Sequence, residues 1–303
     1  MAQRAATQGV DQPRGAAGWV AGAEGVELSA LLAAADRALA IAQAQGHGAV
    51  CIRSGPDAAG GMGAHALMDW VDQAIDTGRF VLTLQNVVSV PEGTPVQREA
   101  YLRLLAPDGR KIAARDFLPL LQRERKAAFV DRAVLMQLRS AVDAGCVAPG
   151  MLAVNLSSDT FAAGELPAWL HAGLDGWPAA VPLVFELRET DAVAFPDAAV
   201  RFAIALRERG AAVALDHFGT HAGGIAALRR LLPSYVKLDA SLSRGLEAAE
   251  RRFQVEALVR AAHMLEIPVW AQVFDSPGAL ELLAEMGIAG AQGFTLAPEQ
   301  ALQ

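Results

Sequence analysis

Cysteine is nearly absent from this chain of 303 residues. Cys51 and Cys146 are the only two, and they form no metal or disulfide pattern, which fits a reducing compartment. Charge is also sparse, at 19% of residues, and sums to −7. That balance argues against a nucleic-acid surface, which needs a basic stripe. It leaves a nucleotide open, because one phosphate needs only a local Arg or Lys. No uninterrupted apolar run reaches the ~18 residues of a membrane-spanning helix. The opening residues, MAQRAATQGVDQ, lack the apolar core of a signal peptide. These absences predict a cytoplasmic chain without a membrane span, or the cytoplasmic part of a membrane-bound protein.

Apolar residues, by contrast, make up 53% of the chain, ample for a large core. The length leaves room for one barrel of about 250 residues and a short extension. Residues 1–25 are rich in Ala, Gly and Gln without periodicity, and disorder is expected there. In residues 26–54, Leu28, Leu31, Leu32, Ala35, Leu39 and Ala42 share one helical face that stops at Gly46, and 49–52 reads as a short strand. Residues 55–65 are a linker by composition, and a further helix over about 66–77 ends at Gly78. Strands are predicted at 80–90 and 98–105, separated by the turn signal PEGTP. One helical stretch then covers 114–142, with an early Pro. From 151 onward apolar strands alternate with amphipathic helices, as buried parallel strands and their crossovers do. The prediction for 66–303 is an α/β fold, a TIM-like (β/α)8 barrel.

Six polar positions close these apolar runs: Glu99, Asn155, Glu186, Asp216, Lys237 and Gln292, with gaps of 56, 31, 30, 21 and 55 residues. A strand plus a helix takes about 30 residues, so a repeated βα unit delivers such a spacing. In a closed barrel the carboxyl ends of the strands share one rim, where active sites sit. Carboxylates gathered there suit Mg²⁺ or Mn²⁺ and the hydrolysis of a phosphodiester, with cations to hold the phosphate. The ordinary reading of any one of these acids is a helix cap or loop ion pair. Lys237 has such a reading too, as a structural partner of Glu186 or Asp216. Trp169, Trp177 and Trp270 read as core.

Residues of about 70–300 resemble an EAL domain, the cyclic di-GMP phosphodiesterase barrel. The resemblance rests on a set of motifs in order: Glu99-Ala100-Tyr101-Leu102-Arg103, Val154-Asn155-Leu156-Ser157, Glu186-Leu187-Arg188-Glu189, Asp216-His217-Phe218-Gly219-Thr220, Lys237-Leu238-Asp239, Ala271-Gln272-Val273-Phe274-Asp275 and Gln292-Gly293-Phe294. A literal Glu256-Ala257-Leu258 lies mid-helix and reads as coincidence. The resemblance implies metal positions at Glu99, Asn155, Glu186 and Asp216, and catalytic positions at Lys237, Gln272 and Glu189. It implies ligand contacts at Gln85, Tyr101, Arg103, Asp239, Gln292 and Pro298. Residues 26–54 resemble the last helix and strand of a GGDEF domain, a remnant without its signature.

Two departures bear on activity. His217 and Gln272 stand where active members carry acids that hold metal and activate water. Gln272 is neutral and cannot take a proton. His217 binds softer metals but brings no negative charge. Arg188 adds a positive charge beside the acidic cluster, and His221-Ala222-Gly223-Gly224 replaces the family's loop there. The expected function is therefore a degenerate EAL domain of the LapD and FimX receptor type, binding cyclic di-GMP with no metal required. The alternatives are a slow Mg²⁺- or Mn²⁺-dependent phosphodiesterase giving pGpG, and a scaffold that binds no nucleotide. Expected partners are cyclic di-GMP, a second copy of the chain and an unidentified signalling protein.

Overall fold

A computed structural model of the protein describes residues 17–21, 50–54, 64–90, 92–106, 109–246, 248–272 and 279–302, with positions 35, 38, 39 and 42. The strands are β1 (Ala17–Ala21), β2 (Val50–Ser54), β3 (Phe80–Ser89), β4 (Pro95–Leu105), β5 (Lys111–Ala113), β6 (Leu152–Leu156), β7 (Leu183–Arg188), β8 (Ala212–Phe218), β9 (Val236–Leu238), β10 (Val269–Gln272), β11 (Gly290–Gln292) and β12 (Gln300–Ala301). The helices are α1 (Ala64–Asp76), α2 (Leu118–Arg123), α3 (Ala127–Asp143), α4 (Ser158–Phe161), α5 (Ala168–Leu174), α6 (Glu189–Ala194), α7 (Pro196–Arg207), α8 (Gly224–Leu231), α9 (Ala249–His263) and α10 (Ala279–Glu285). Two compact units result: Met1–Arg79 with Leu104–Glu124, and Phe80–Arg103 with Arg125–Gln303.

In the first unit β1 and β2 pair in parallel. The disorder expected over 1–25 therefore does not hold for Ala17–Ala21, where Trp19 and Val20 supply β-forming residues within a low-complexity surround. The strand expected at 49–52 lies at Val50–Ser54. Of the helix expected before Gly46, only positions 35, 38, 39 and 42 are described, all helical. The rest, and residues 55–63 of the expected linker, lie outside the described residues. α1 buries Met68, Val71, Ala74 and Ile75 and ends at Asp76, two residues before Gly78, whose φ of 65° suits the left-handed turn.

The helix expected over 114–142 is broken into three pieces. A 3₁₀ turn at Ala114–Asp116 leads into α2, and the chain then turns at Arg125, with φ 56°. A left-handed residue cannot continue a right-handed helix. α3 starts afresh in the second unit, its Ala127 amide donating to the Asp159 carboxylate at 2.9 Å.

The second unit holds the expected barrel. β3, β4 and β6–β11 form one sheet closed by a β3–β4 pairing. β4 and β6–β11 pair in parallel order, whereas β3 runs antiparallel to β11. β12 also pairs antiparallel with β3, at Leu84 and Thr83. A buried cluster of Val87, Val184, Ala214, Tyr235 and Trp270 fills the barrel. Tyr235 stacks on Trp270 with ring centroids 3.7 Å apart, so Trp270 is core as expected. Gly290 makes room for that ring: a Cβ there would meet Trp270 Cδ1 at 2.9 Å. Among the described residues no helix is long and apolar enough to cross a membrane.

Candidate functional site

The parallel register carries the strand-end residues to one rim. Asn155 on β6 lies level with Glu186 on β7, and Arg188 on β7 lies level with Asp216 on β8. Strand tilt then brings Glu99 on β4, which is level with Ala153, within reach of Asn155. The Asn155 amide donates to Glu99 Oε1 at 2.7 Å. Lys237 Nζ donates to Glu99 Oε2 at 2.6 Å and to Glu186 Oε2 at 2.8 Å. Four of the six predicted strand-end residues thus form one connected network.

Three further groups complete it. Tyr101 donates its hydroxyl to Glu99 Oε2 at 2.8 Å, Tyr235 donates to Glu186 Oε1 at 2.6 Å, and Gln97 Nε2 donates to the Tyr235 hydroxyl at 2.9 Å. Tyr235 and Gln97 were not anticipated. Each lies two residues before a predicted one, Lys237 and Glu99, and a strand places i and i+2 on one face. That periodicity was the available signal.

Burial governs the charges. It pushes the Glu186 carboxyl up, helped by the neighbouring Glu99 charge, to about 8. Burial acts on Glu99 as well, but the Lys237 ammonium and the hydrogen bonds outweigh it and hold that carboxyl below its usual range. For Lys237 the two carboxylates overcome desolvation, and the ammonium stays charged.

Asp216 and His217 sit at a break in register between Leu215 and Phe218. The break is a bulge in which His217 takes φ 55°, a conformation His tolerates better than most residues. His217 Nδ1 lies 2.7 Å from Asp239 Oδ2, and its Nε2 lies 3.5 Å from Asp216 Oδ2. The Asp216 charge, with help from Asp239 and against partial burial, raises the imidazole to about 9. Asp239 is lowered in turn by the His217 hydrogen bond.

Glu189 lies beyond this network. Its carboxylate accepts the amides of Gly219 at 3.0 Å, Thr220 at 3.0 Å and His221 at 2.8 Å, and the Thr220 hydroxyl at 3.1 Å. A Cβ on Gly224 would fall 1.8 Å from Glu189 Oε1, so the loop closes on the carboxylate only with glycine there. Its position is that of a loop anchor. Arg188, expected to weigh on the acidic cluster, instead directs Nε and Nη2 to Asp191 Oδ2 at 3.0 and 2.9 Å.

Of the predicted ligand contacts, Asp239 follows β9 beside His217, and the other five lie on or near β3, β4 and β11. Gln85 Nε2 donates to the Ala297 carbonyl at 2.9 Å. The Arg103 guanidinium lies 5.3 Å from the Tyr101 ring centroid and pairs with Glu299. Gln292, level with Gln272 on β10, is buried, and neither polar atom of its amide has a protein partner. Pro298 lies between Ala297 and Glu299 in the segment that runs beside β3. Asp275 lies outside the described residues. An apolar cavity of about 210 Å³, lined in part by Val193, Pro196, Val200 and Leu231, sits among α6, α7 and α8 and contains none of these groups.

The chain is 28% identical over 272 residues to the bifunctional diguanylate cyclase/cyclic di-GMP phosphodiesterase MucR of Pseudomonas aeruginosa, covering 88% of this chain and 40% of that protein. It is 24% identical to the cyclic di-GMP phosphodiesterase PdeF of Escherichia coli, covering 78% of this chain and 32% of PdeF. It thus spans less than half the length of these curated relatives. Among solved structures, the MucR phosphodiesterase in complex with c-di-GMP superposes with a TM-score of 0.67 at 28% identity, covering 76% of this chain and 95% of that one. The FimX EAL domain from Pseudomonas aeruginosa, bound to c-di-GMP, gives 0.66 at 25%, covering 75% and 93%. Vibrio cholerae LapD shares the fold, with a TM-score of 0.76 at 23% identity over 91% of this chain and 68% of that one. Residues 68–299 match the EAL domain, and the chain belongs to that family.

Proposed function

We propose that this EAL barrel is a receptor that binds cyclic di-GMP and hydrolyses it little or not at all. The observation that carries the reading is the state of the acidic rim. Lys237 joins Glu99 to Glu186, and Gln272 and His217 stand where the resemblance implies two further acids. A pair of Mg²⁺ or Mn²⁺ ions needs several free carboxylate oxygens at close quarters. Here Glu99 and Glu186 already serve Lys237, Asp216 Oδ1 accepts the His217 amide at 2.8 Å, and Gln272 brings no charge. Among the described residues no three His, Cys, Asp or Glu side chains are grouped to hold a metal ion. This donor set does not fit two cations.

The ligand side supports binding. The Gln292 amide is buried without a protein partner, and an unmade bond of that kind costs about 1–3 kcal/mol. A guanine edge, with donors and acceptors side by side, would satisfy it. The MucR phosphodiesterase and the FimX EAL domain, both solved with c-di-GMP, are the relatives that make this ligand the first to try. A slow metal-dependent phosphodiesterase is the second reading. Glu189 favours it, because its grip on Gly219, Thr220 and His221 keeps the loop after Asp216 in place.

Calorimetric titration of cyclic di-GMP in EDTA tests the receptor. Binding at micromolar concentration or tighter is expected. Absence of binding at millimolar ligand overturns the reading and leaves a scaffold.

A further inference from the structure

We propose that Glu299 is an internal competitor for the anion site of Arg103, a carboxylate that a ligand phosphate must displace. The inference rests on the reading of Arg103 as a phosphate anchor. Both side chains are largely covered, at 16% and 15% exposure, and Arg103 Nη2 pairs with Glu299 Oε1. The other carboxylate oxygen accepts the Thr83 hydroxyl at 2.6 Å. Arg103 Nη1 donates to its neighbour's carbonyl, Leu102 O, at 2.9 Å. The guanidinium is thus held between backbone and Glu299. A guanidinium fork grips carboxylate and phosphate through the same planar donors, so the two anions compete.

The backbone delivers this carboxylate. Gln300 pairs with Leu84 and Ala301 with Thr83, and the Leu302 amide donates to Leu82 O at 2.9 Å. The same segment presents the Ala297 carbonyl to Gln85, a second predicted ligand contact. Glu299 is therefore fixed beside Arg103 by strand pairing, which a loose surface acid would not be. Its effect is to lower the affinity of the mouth for any phosphate.

The test titrates cyclic di-GMP and inorganic pyrophosphate into the full chain, the Glu299→Gln variant and the Arg103→Gln/Glu299→Gln double variant. Gln keeps the size and the capacity to accept from Thr83 while removing the charge. Glu299→Gln is expected to bind both probes roughly tenfold tighter than the parent, the scale of one charge-assisted hydrogen bond. The gain is expected to vanish in the double variant. Equal affinity of the parent and Glu299→Gln, no pyrophosphate binding by Glu299→Gln, or a gain that survives the loss of Arg103 would each overturn the competitor. A gain for pyrophosphate, with no variant binding cyclic di-GMP, supports the competitor and removes the nucleotide reading instead.

Discussion

Lys237 and His217 each stand between two carboxylates at the same rim, and they differ chiefly in exposure. The Lys237 side chain is 1% exposed, with Glu99 and Glu186 at 2.6 and 2.8 Å. The His217 side chain is 46% exposed, with Asp239 at 2.7 Å and Asp216 at 3.5 Å. In the first case water cannot replace a missing partner. In the second it can, and solvent screens what attraction there is. One geometry thus gives a structural cross-link among β4, β7 and β9, and a weaker, adjustable contact between the bulge on β8 and Asp239.

The largest expected effect follows from breaking the buried pair. Lys237→Met leaves Glu99 and Glu186 facing each other without a cation, and removal of one partner of a buried pair costs about 3–5 kcal/mol. Urea unfolding of parent and variant measures it. A loss below about 1 kcal/mol would make the buried site no different from a surface pair.

The smaller effect concerns pH. The folded imidazole of His217 is raised to about 9 from an ordinary 6.5. Its folded form holds the proton more tightly than the unfolded chain does, so its stabilising contribution is full below about 6.5 and fades as pH rises through about 9. His217→Asn removes this titration. The melting-temperature difference between parent and variant should shrink between those limits, by a modest amount because His217 is nearly half exposed. A difference that stays constant over the window contradicts the assignment.

Much of this rim is legible in the sequence. Period and spacing suffice for the barrel because β6, β7 and β8 are apolar runs ending in Asn155, Glu186 and Asp216. The order of the motifs then points to the rim. Local strain and long-range partners leave weaker traces. Arg125 turns the chain in a stretch whose side chains all favour helix, and no Gly or Pro announces it. Glu299 meets Arg103 across 196 residues, through β12, a strand of two residues that is too short for periodicity to register. Lys237 was expected to meet Glu186 or Asp216, and its second hydrogen-bonded partner is Glu99. Strand order, which composition does not encode, decides such pairings. Thr83 and Gln97 were legible in principle, since each lies two residues from a predicted position on its own strand.

On the proposed reading, the mouth keeps a ligand site and lacks the acids for turnover. Incubating cyclic di-GMP and Mn²⁺ with the parent and with the Gln272→Glu/His217→Asp variant, then recovering the nucleotide, tests it most directly. Asp tolerates the left-handed backbone at 217, so the substitution suits the bulge. The account predicts intact dinucleotide from the parent and pGpG from the variant, with a rate gain of at least ~10²–10⁴, the scale of a restored general base. Accumulation of pGpG by the parent at a rate close to the variant's would contradict it.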